Sequence, residues 1–184
     1  MFNKPTGDIA EISLGPGVIS IGAVGATPTI DVGHVKGGMT LTIDRAMVDI
    51  RAGSPQTLIK RLSAQEDAMI EFTGIQWDLD NLARVLGDGQ TSISGGSEVM
   101  EIGGRPNGTE ISLKFVHKMA DGGTIEMDVY KAIGDGIIAV AVNEADTHEM
   151  PYKFMAMDPG ETGWDGAALT DGKKLVKFLR TAGA

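Results

Sequence analysis

The side chains that most often carry catalysis are present in this chain, but none stands in a spacing that a known chemistry requires. The three histidines are His34, His117 and His148, and the segment HEMPY that contains the last of them lacks the second histidine of the HExxH zinc motif. No serine lies in a GxSxG elbow, and no glycine-rich loop ends in the GK[ST] of a phosphate-binding loop. We therefore predict no catalytic residue, no metal and no cofactor, and we rank an enzyme last among the function classes.

Acidic side chains are numerous, and some pairs could be drawn as general acid/base dyads or calcium ligands. Glu126 and Asp128 alternate along the polar face of a predicted strand, where solvated charges are the simpler interpretation. The segment GDGQTSISGG, residues 87–96, follows a predicted helix instead of opening one. We therefore predict a flexible loop there and not a phosphate site.

Composition bounds the class of protein. The 184 residues suffice for one buried core, the chain contains no cysteine, and its formal net charge is −9. A strongly acidic balance argues against tight binding to nucleic acid, where clustered lysines and arginines supply the affinity. No segment has the length of a signal peptide core or a membrane span, so we expect a soluble protein made in the cytoplasm, with no membrane anchor.

The charge is distributed unevenly. Residues 121–171 contain 11 acidic residues against two lysines, whereas residues 173–184 contain four basic residues and no acidic one. This basic C-terminal tail could remain solvated, or it could contact an acidic surface on the same chain or on another copy.

The clearest elements lie between residues 66 and 87, where a strand leads into a short helix. Ala68, Ile70 and Phe72 alternate with polar neighbours, which predicts a strand with one buried face. The period then changes to that of a helix over about residues 78–87, with Asp78 as the N-cap. Trp77 and Leu82 are placed for a hydrophobic staple, and Gly87 would end the helix. The predicted core residues of this unit are Phe72, Trp77, Leu79, Leu82 and Leu86.

The rest of the chain has strand patterns. Residues 1–30 form an N-terminal arm with one short strand at 18–21, and residues 39–44 begin a further strand. Two apolar stretches flank Ser54-Pro55-Gln56 within residues 46–65 and predict a hairpin or a long excursion from the sheet. Later strands are predicted in TEISLKFVHKM and GTIEMDVYKAIG, joined by the turn ADGG, and in residues 137–142 and HEMPYKFMAM. The final KKLVKFLR could be a strand or a helical turn. About eight or nine mostly antiparallel strands with one helix result.

The excursion at residues 46–65 is too apolar for a solvated loop. If it leaves the body of the protein, a partner should cover it. The candidate contact residues are Met47, Val48, Ile50, Leu58, Ile59 and Leu62.

Several segments occur in an order that resembles the tail tube (major tail) proteins of tailed bacteriophages, over roughly residues 15–160. They are a Gly-rich arm, GHVKGGMTLTIDR, the long excursion, EDAMIEFTG, the helix ending in NLARVLG, and YKFMAMDPG. The resemblance implies an antiparallel β-sandwich or barrel of two sheets with a flanking helix, in a tube domain at residues 31–172 between the arm and the tail. It also implies that hexameric rings stack into a channel through which the phage DNA passes. The implied partners are further copies of the chain, a tape measure protein, tail terminator and baseplate or distal tail proteins, and a sheath in contractile tails.

Polar strand faces are candidates for the channel wall, because an acidic lining would let DNA slide without sticking. These residues are Thr40, Thr42, Asp44, Glu126 and Asp128. Two other functions stay open: the inner tube of a contractile injection or type VI secretion system, and a monomeric β-sandwich module that binds a ligand. The scarcity of aromatic residues argues mildly against a sugar platform in the second case.

Overall fold

The computed structural model describes residues 17–76, 78–86, 89–103, 108–135 and 149–183, and it is mainly β. Every strand pairing in this part of the chain is antiparallel, and one helix accompanies the strands, as the sequence predicts. The elements are β1 (Val18–Ala23), β2 (Ile30–Asp31), β3 (Val35–Ala52), β4 (Thr57–Gly74), α1 (Leu79–Leu86), β5 (Gln90–Ser94), β6 (Ser97–Glu101), β7 (Glu110–Lys118), β8 (Thr124–Gly134), β9 (Met150–Ala156) and β10 (Lys177–Thr181).

One large sheet organises the described part of the chain. Its eight strands follow the order β2-β1-β7-β8-β9-β4-β3, with β10 also paired to β8, while β5 and β6 form a separate hairpin. The resemblance implies two sheets, whereas the described residues form one eight-stranded sheet and this two-stranded hairpin. Buried residues from strands far apart in this order, such as Ile21 in β1 and Ile70 in β4, belong to a single hydrophobic cluster. The large sheet thus encloses one core.

The core residues occupy alternate positions along the strands. Phe72 lies opposite Tyr152 across β4 and β9, and Ile70 lies opposite Phe154. All four side chains are at most 4% exposed, and the ring of Phe72 stacks on that of Phe154 with centroids 5.9 Å apart. Alternate residues of β4 and β9 therefore form the centre of the core, as predicted for Phe72.

One edge of strand β8 pairs with two different strands at successive positions along its length. Ala132 to Gly134 pair with β9, and Thr124 to Asp128 pair with β10. Since both neighbours are antiparallel to β8, β9 and β10 run in the same direction, one beyond the other. The basic segment 173–184, for which a solvated tail was one expectation, thus contains a strand of the sheet.

The helix α1 forms where predicted. The backbone N–H of Asn81 donates to Oδ1 of Asp78 at 2.9 Å, which confirms the N-cap. Leu82 is buried and Leu86 packs against the core, as predicted, while Leu79 is half-buried. Trp77 and Gly87, the predicted staple and stop, lie outside the described residues.

The structure corrects two predictions of local conformation. Residues 90–101, whose first half was predicted to be a flexible loop, form the β5–β6 hairpin around Gly95 and Gly96, both with positive φ. The hairpin β7–β8 is confirmed, but a register shift places Ile111 opposite Ala132 and Leu113 opposite Val129. Strict alternation along β8 would place Lys131 on the apolar face with Val129, but this bulge moves it to a half-exposed position where it pairs with Glu110 at 2.9 Å.

The described residues include part of the predicted N-terminal arm and none of the predicted strand at 137–142. Residues 18–23 form β1, which confirms the short strand and places it between β2 and β7 in the sheet. Residues 1–16 and 136–148 lie outside the described residues. The predicted strand in HEMPYKFMAM is confirmed as β9, with Met150, Tyr152 and Phe154 buried.

Candidate functional site

The most distinctive feature of the molecule is a two-stranded ribbon, residues 43–68, formed by the distal parts of β3 and β4. These strands pair with each other from Val35 opposite Gly74 to Ala52 opposite Thr57. Strand β9 pairs with β4 only as far as Met69. At about 3.3 Å per residue, the ribbon therefore extends roughly 30 Å beyond the sheet. The structure confirms the hairpin alternative for residues 46–65.

Alternation along the strands gives the ribbon two faces. The core-side face continues the buried side of the sheet through Ile43 opposite Ala68, and then carries Arg45 opposite Glu66. The outer face carries Asp44 opposite Asp67, and the next pair is Ala46 opposite Gln65. Two register shifts, next to Ala46 and next to Ile50, each add one residue to β4 without exchanging the faces of β3.

The core-side face is a network of ion pairs. Arg45 Nη2 lies 2.8 Å from Glu66 Oε1, and Arg61 Nε lies 2.8 Å from Asp49 Oδ1. Arg51 adds a weaker contact with Asp49 at 3.4 Å. These pairs are solvent-exposed, so each contributes at most about 1 kcal/mol to the ribbon.

The outer face is apolar along its middle. Val48 lies opposite Leu62, and Ile50 lies opposite Lys60. The exposed fractions are 51% for Val48, 43% for Ile50 and 41% for Leu62. Within the described residues, β3 is the only strand that pairs with this length of β4.

All six predicted contact residues are exposed on the ribbon, but they do not share a face. Val48, Ile50 and Leu62 form the outer apolar strip. Met47 and Leu58 lie on the ion-paired face, opposite Ser63 and Arg51, and Ile59 is the extra residue at the second bulge.

A cleft of about 290 Å³ marks the root of the ribbon on its core side. Ile43 and Ala68 form one wall, and Leu175, Val176 and Phe178 line the other side, just before and within β10. The ribbon and β10 therefore diverge instead of pairing, which leaves Phe178 60% exposed.

The predicted channel-wall residues fall into two separate groups. Thr40, Thr42 and Asp44 are exposed on the outer side of β3, continuous with the outer face of the ribbon. Glu126 and Asp128 lie on β8, several strands away. The structure thus brings the members of each group together but does not join the groups.

The structure corrects the prediction that Asp128 is a solvated residue on a polar strand face. It is 5% exposed, and β7 and β10 flank it with Lys114 and Lys177 directly opposite. Burial raises the pKa of the Asp128 carboxyl above its usual value, and the two lysines oppose this effect only in part. Glu126 is half-buried and pairs with Lys114 at 2.7 Å. This part of β8 is therefore an internal polar network and not an open acidic wall.

The basic C-terminal segment finds acidic partners on its own chain. Lys177 Nζ lies 2.7 Å from Asp165 Oδ2, and Lys174 Nζ lies 3.0 Å from Asp158 Oδ2. Hydrogen bonding to Asp165 raises the pKa of Lys177. One of the alternatives left open by the sequence, an acidic surface on the same chain, is thus realised for these two lysines.

The histidines and carboxylates of the described residues do not assemble into a metal site. No group of three or more His, Asp or Glu side chains in that part of the chain could hold a metal ion. His34 is exposed, whereas His117 is buried and its ring stacks on Phe115 with centroids 6.5 Å apart. His148 lies outside the described residues.

Comparison with known proteins adds no family. Neither the family models nor the curated proteins that were searched contain a match to this chain. Within the described residues, no helix has the length and apolar character needed to cross a membrane.

Two charged positions of the ribbon were not singled out by the sequence. Lys60 and Asp67 join Asp44 and the apolar strip on the outer face. Alternation along a continuous hairpin would have placed Asp67 beside Asp44, but the bulge next to Ala46, which lies between Asp67 and Lys60 along β4, hides the position of Lys60.

Proposed function

We propose that this protein is a structural subunit of a bacteriophage tail tube. In this role it is made in the host cytoplasm, assembles into hexameric rings, and remains in the virion tail as the wall of the channel for genome delivery. It acts through assembly and carries out no reaction of its own.

The observation that carries the proposal is the ribbon. An element that extends about 30 Å from the body and exposes Val48, Ile50 and Leu62 leaves apolar surface in water unless another molecule covers it. The ribbon also stands at the position of the extended loop in the family that the sequence resembles. A contact between a projecting element and a different surface of the next copy is heterologous, and such contacts generate open filaments.

The mainly β fold and the charge of the chain support the same role. The resemblance implies an antiparallel β-sandwich or barrel of two sheets with a flanking helix, and the described residues are mainly antiparallel strands with one helix. A net charge of −9 suits a channel through which DNA slides, because few lysines or arginines are available to hold phosphates. The channel surface itself is assigned to the outer side of β3, at Thr40, Thr42 and Asp44.

The test combines electron microscopy with a variant that lacks only the ribbon. Residues 46–65 are replaced by Asn-Gly, so that a two-residue turn joins Arg45 to its direct partner Glu66. The thermal unfolding midpoint should change by no more than a few degrees, because the removed residues are all exposed. Negative stain of the full chain should show rings or tubes with six-fold symmetry, and the trimmed chain should show none.

Two outcomes count against the proposal. A full chain that stays monomeric at high concentration, even with baseplate components added, would favour the monomeric binding module. A trimmed chain that assembles as well as the full chain would remove the ribbon from the argument.

A further inference from the structure

The two faces of the ribbon differ in whether their charged side chains are paired within the chain. On the core-side face, Arg45, Glu66, Asp49 and Arg61 are matched within the chain at 2.8 Å. The charged residues of the outer face form no salt bridge with any residue that the structure describes. Among the described residues, only the outer face of the ribbon therefore carries charged side chains that form no salt bridge.

The unmatched charges of the outer face stand at opposite ends of the apolar strip. At the root, Asp44 and Asp67 lie directly opposite each other, and Gln65 Nε2 on the same face donates a hydrogen bond to Asp67 Oδ2 at 2.6 Å. At the tip, Lys60 lies opposite Ile50. The six residue steps from Asp44 to Ile50 span about 20 Å.

The pair at the root is unfavourable in the isolated chain. Like charges directly opposite each other across two strands destabilise the pairing, and a cation placed over both carboxylates would remove this effect. Lys60 of the same chain cannot reach them, because about 20 Å separates the two ends of the strip. No lysine or arginine of the described residues forms a salt bridge with them, so this position is open to a cation from another molecule.

We propose that the outer faces of two ribbons pack against each other about a two-fold axis, forming a dimer of this chain. Lys60 of each copy lies over the Asp44 and Asp67 carboxylates of the other. The apolar residues between the charged ends, Val48 and Leu62, pack across the axis.

Only one relative orientation satisfies the charges. Two ribbons facing each other in parallel would set lysine on lysine and carboxylates on carboxylates. Turning one ribbon end for end sets each lysine on the opposite pair of carboxylates, and it does so twice, because a two-fold contact is isologous. The axis passes between the row of Ala46 and the row of Val48, halfway between the charged ends.

The size of the contact predicts a weak, reversible dimer. A strip about 20 Å long and two strands wide covers on the order of 200 Å² per copy, well below the roughly 800 Å² per partner of a stable interface. The dimer therefore forms at high concentration and gives way to any larger interface. The inference does not rest on the tail tube proposal, although in a tube subunit this pairing would cover the apolar strip before assembly.

The charge test uses the full chain in sedimentation experiments over a range of concentration and salt. Lys60→Glu should weaken the dimer roughly tenfold, because each exchange affects two contacts. Arg61→Glu is the matched control, since it makes the same change of net charge one residue away on the core-side face and should leave the dimer unchanged. Inverting all three outer charges, with Lys60→Glu, Asp44→Lys and Asp67→Lys together, should restore it. Raising the salt from about 50 to 500 mM should weaken the wild-type dimer.

Chemical crosslinking tests the two-fold axis independently and also works if larger assemblies form. The chain has no cysteine, so a single introduced thiol reacts alone. Val48→Cys, near the axis, should give crosslinked dimers with a bifunctional maleimide about 10 Å long, the distance between packed sheets. Met47→Cys, on the other face, should not.

Three results would overturn the inference: a wild-type chain that never dimerises at millimolar concentration, equal effects of Lys60→Glu and Arg61→Glu, or equal crosslinking at positions 47 and 48. If rings or tubes form normally but Lys60→Glu and Arg61→Glu have equal effects, the dimer is overturned and the tail tube proposal stands. If a salt-sensitive dimer forms but rings never do, the dimer stands and the tail tube proposal is overturned.

Discussion

Phe154 is the residue whose removal should most clearly reveal how the core is built. Its side chain is fully buried, it lies opposite Ile70 on β4 and Gly134 on β8, and its ring stacks on Phe72 at 5.9 Å. Phe154→Ala removes a large buried side chain, which costs about 3 to 5 kcal/mol. Loss of the ring pair places the expected cost towards the upper end, at about 4 to 5 kcal/mol.

The corresponding thermal shift is large enough to measure easily. For a chain of this length, 1 kcal/mol lowers the unfolding midpoint by about 2 to 4 °C, so a decrease of roughly 8 to 20 °C is expected. Urea denaturation followed by circular dichroism, at a concentration where the chain is monomeric, gives the free energy of unfolding directly.

Phe178→Ala is the matched control, because the same type of side chain is 60% exposed on β10, where it lines the cleft at the root of the ribbon. Its cost should stay within about 0.5 kcal/mol. Equal losses for the two variants would refute the conclusion that β4, β8 and β9 enclose the core at Phe154.

Three further substitutions test other parts of the fold. Gly134→Ala would place a methyl group 1.7 Å from the carbonyl oxygen of Val85, so α1 must shift. We expect the free energy of unfolding, measured by urea denaturation, to fall by about 1 to 3 kcal/mol. An unchanged denaturation midpoint would contradict the packing of α1 on β8. Asp78→Ala removes the acceptor of the Asn81 N–H and should cost about 1 kcal/mol, whereas no loss would mean that the cap is not used in solution. Asp128→Asn should stabilise the protein at pH 7, because burial raises the pKa of Asp128 in the folded state, so its ionised form costs folding free energy above the pKa of the unfolded chain. That advantage should decline as the pH falls through the raised pKa towards 3.8, and a variant less stable than wild type at pH 7 would show that the charge is matched.

Short-range patterns were enough to identify most elements. Alternation of Ala68, Ile70 and Phe72 predicted a strand, and the change to helical spacing after Asp78 predicted α1, because both signals depend only on neighbouring residues. The turn ADGG between β7 and β8 was equally local. The apolar residues around Ser54 to Gln56 also predicted that the excursion would expose apolar surface if it left the body of the protein, and these residues are exposed.

Bulges limited what the patterns could say about faces. A single extra residue in β8 reverses the alternation beyond it, so strict alternation would place Lys131 on the apolar side. In the ribbon, one extra residue in β4, at the shift next to Ala46, hid the fact that Lys60 shares a face with Asp44 and Asp67. No local signal of hydrophobicity marks either position.

The environment of Asp128 depended on tertiary structure for another reason. Glu126 and Asp128 have the pattern of an exposed strand face, and β8 by itself gives no sign of what covers them. Residues more than 40 positions further along the chain return as β10 and place Lys177 against Asp128. A pairing of such long range leaves no trace in local periodicity.

The sequence alone therefore determined the β class, the helix with its cap, and the apolar character of the excursion, because these follow from interactions between near neighbours. Only the tertiary structure decided that the excursion is a projecting ribbon, which of its residues share a face, and that the C-terminal segment belongs to the sheet. Those properties follow from the register between strands and from where neighbouring strands end, and both are set by contacts between residues far apart in the chain.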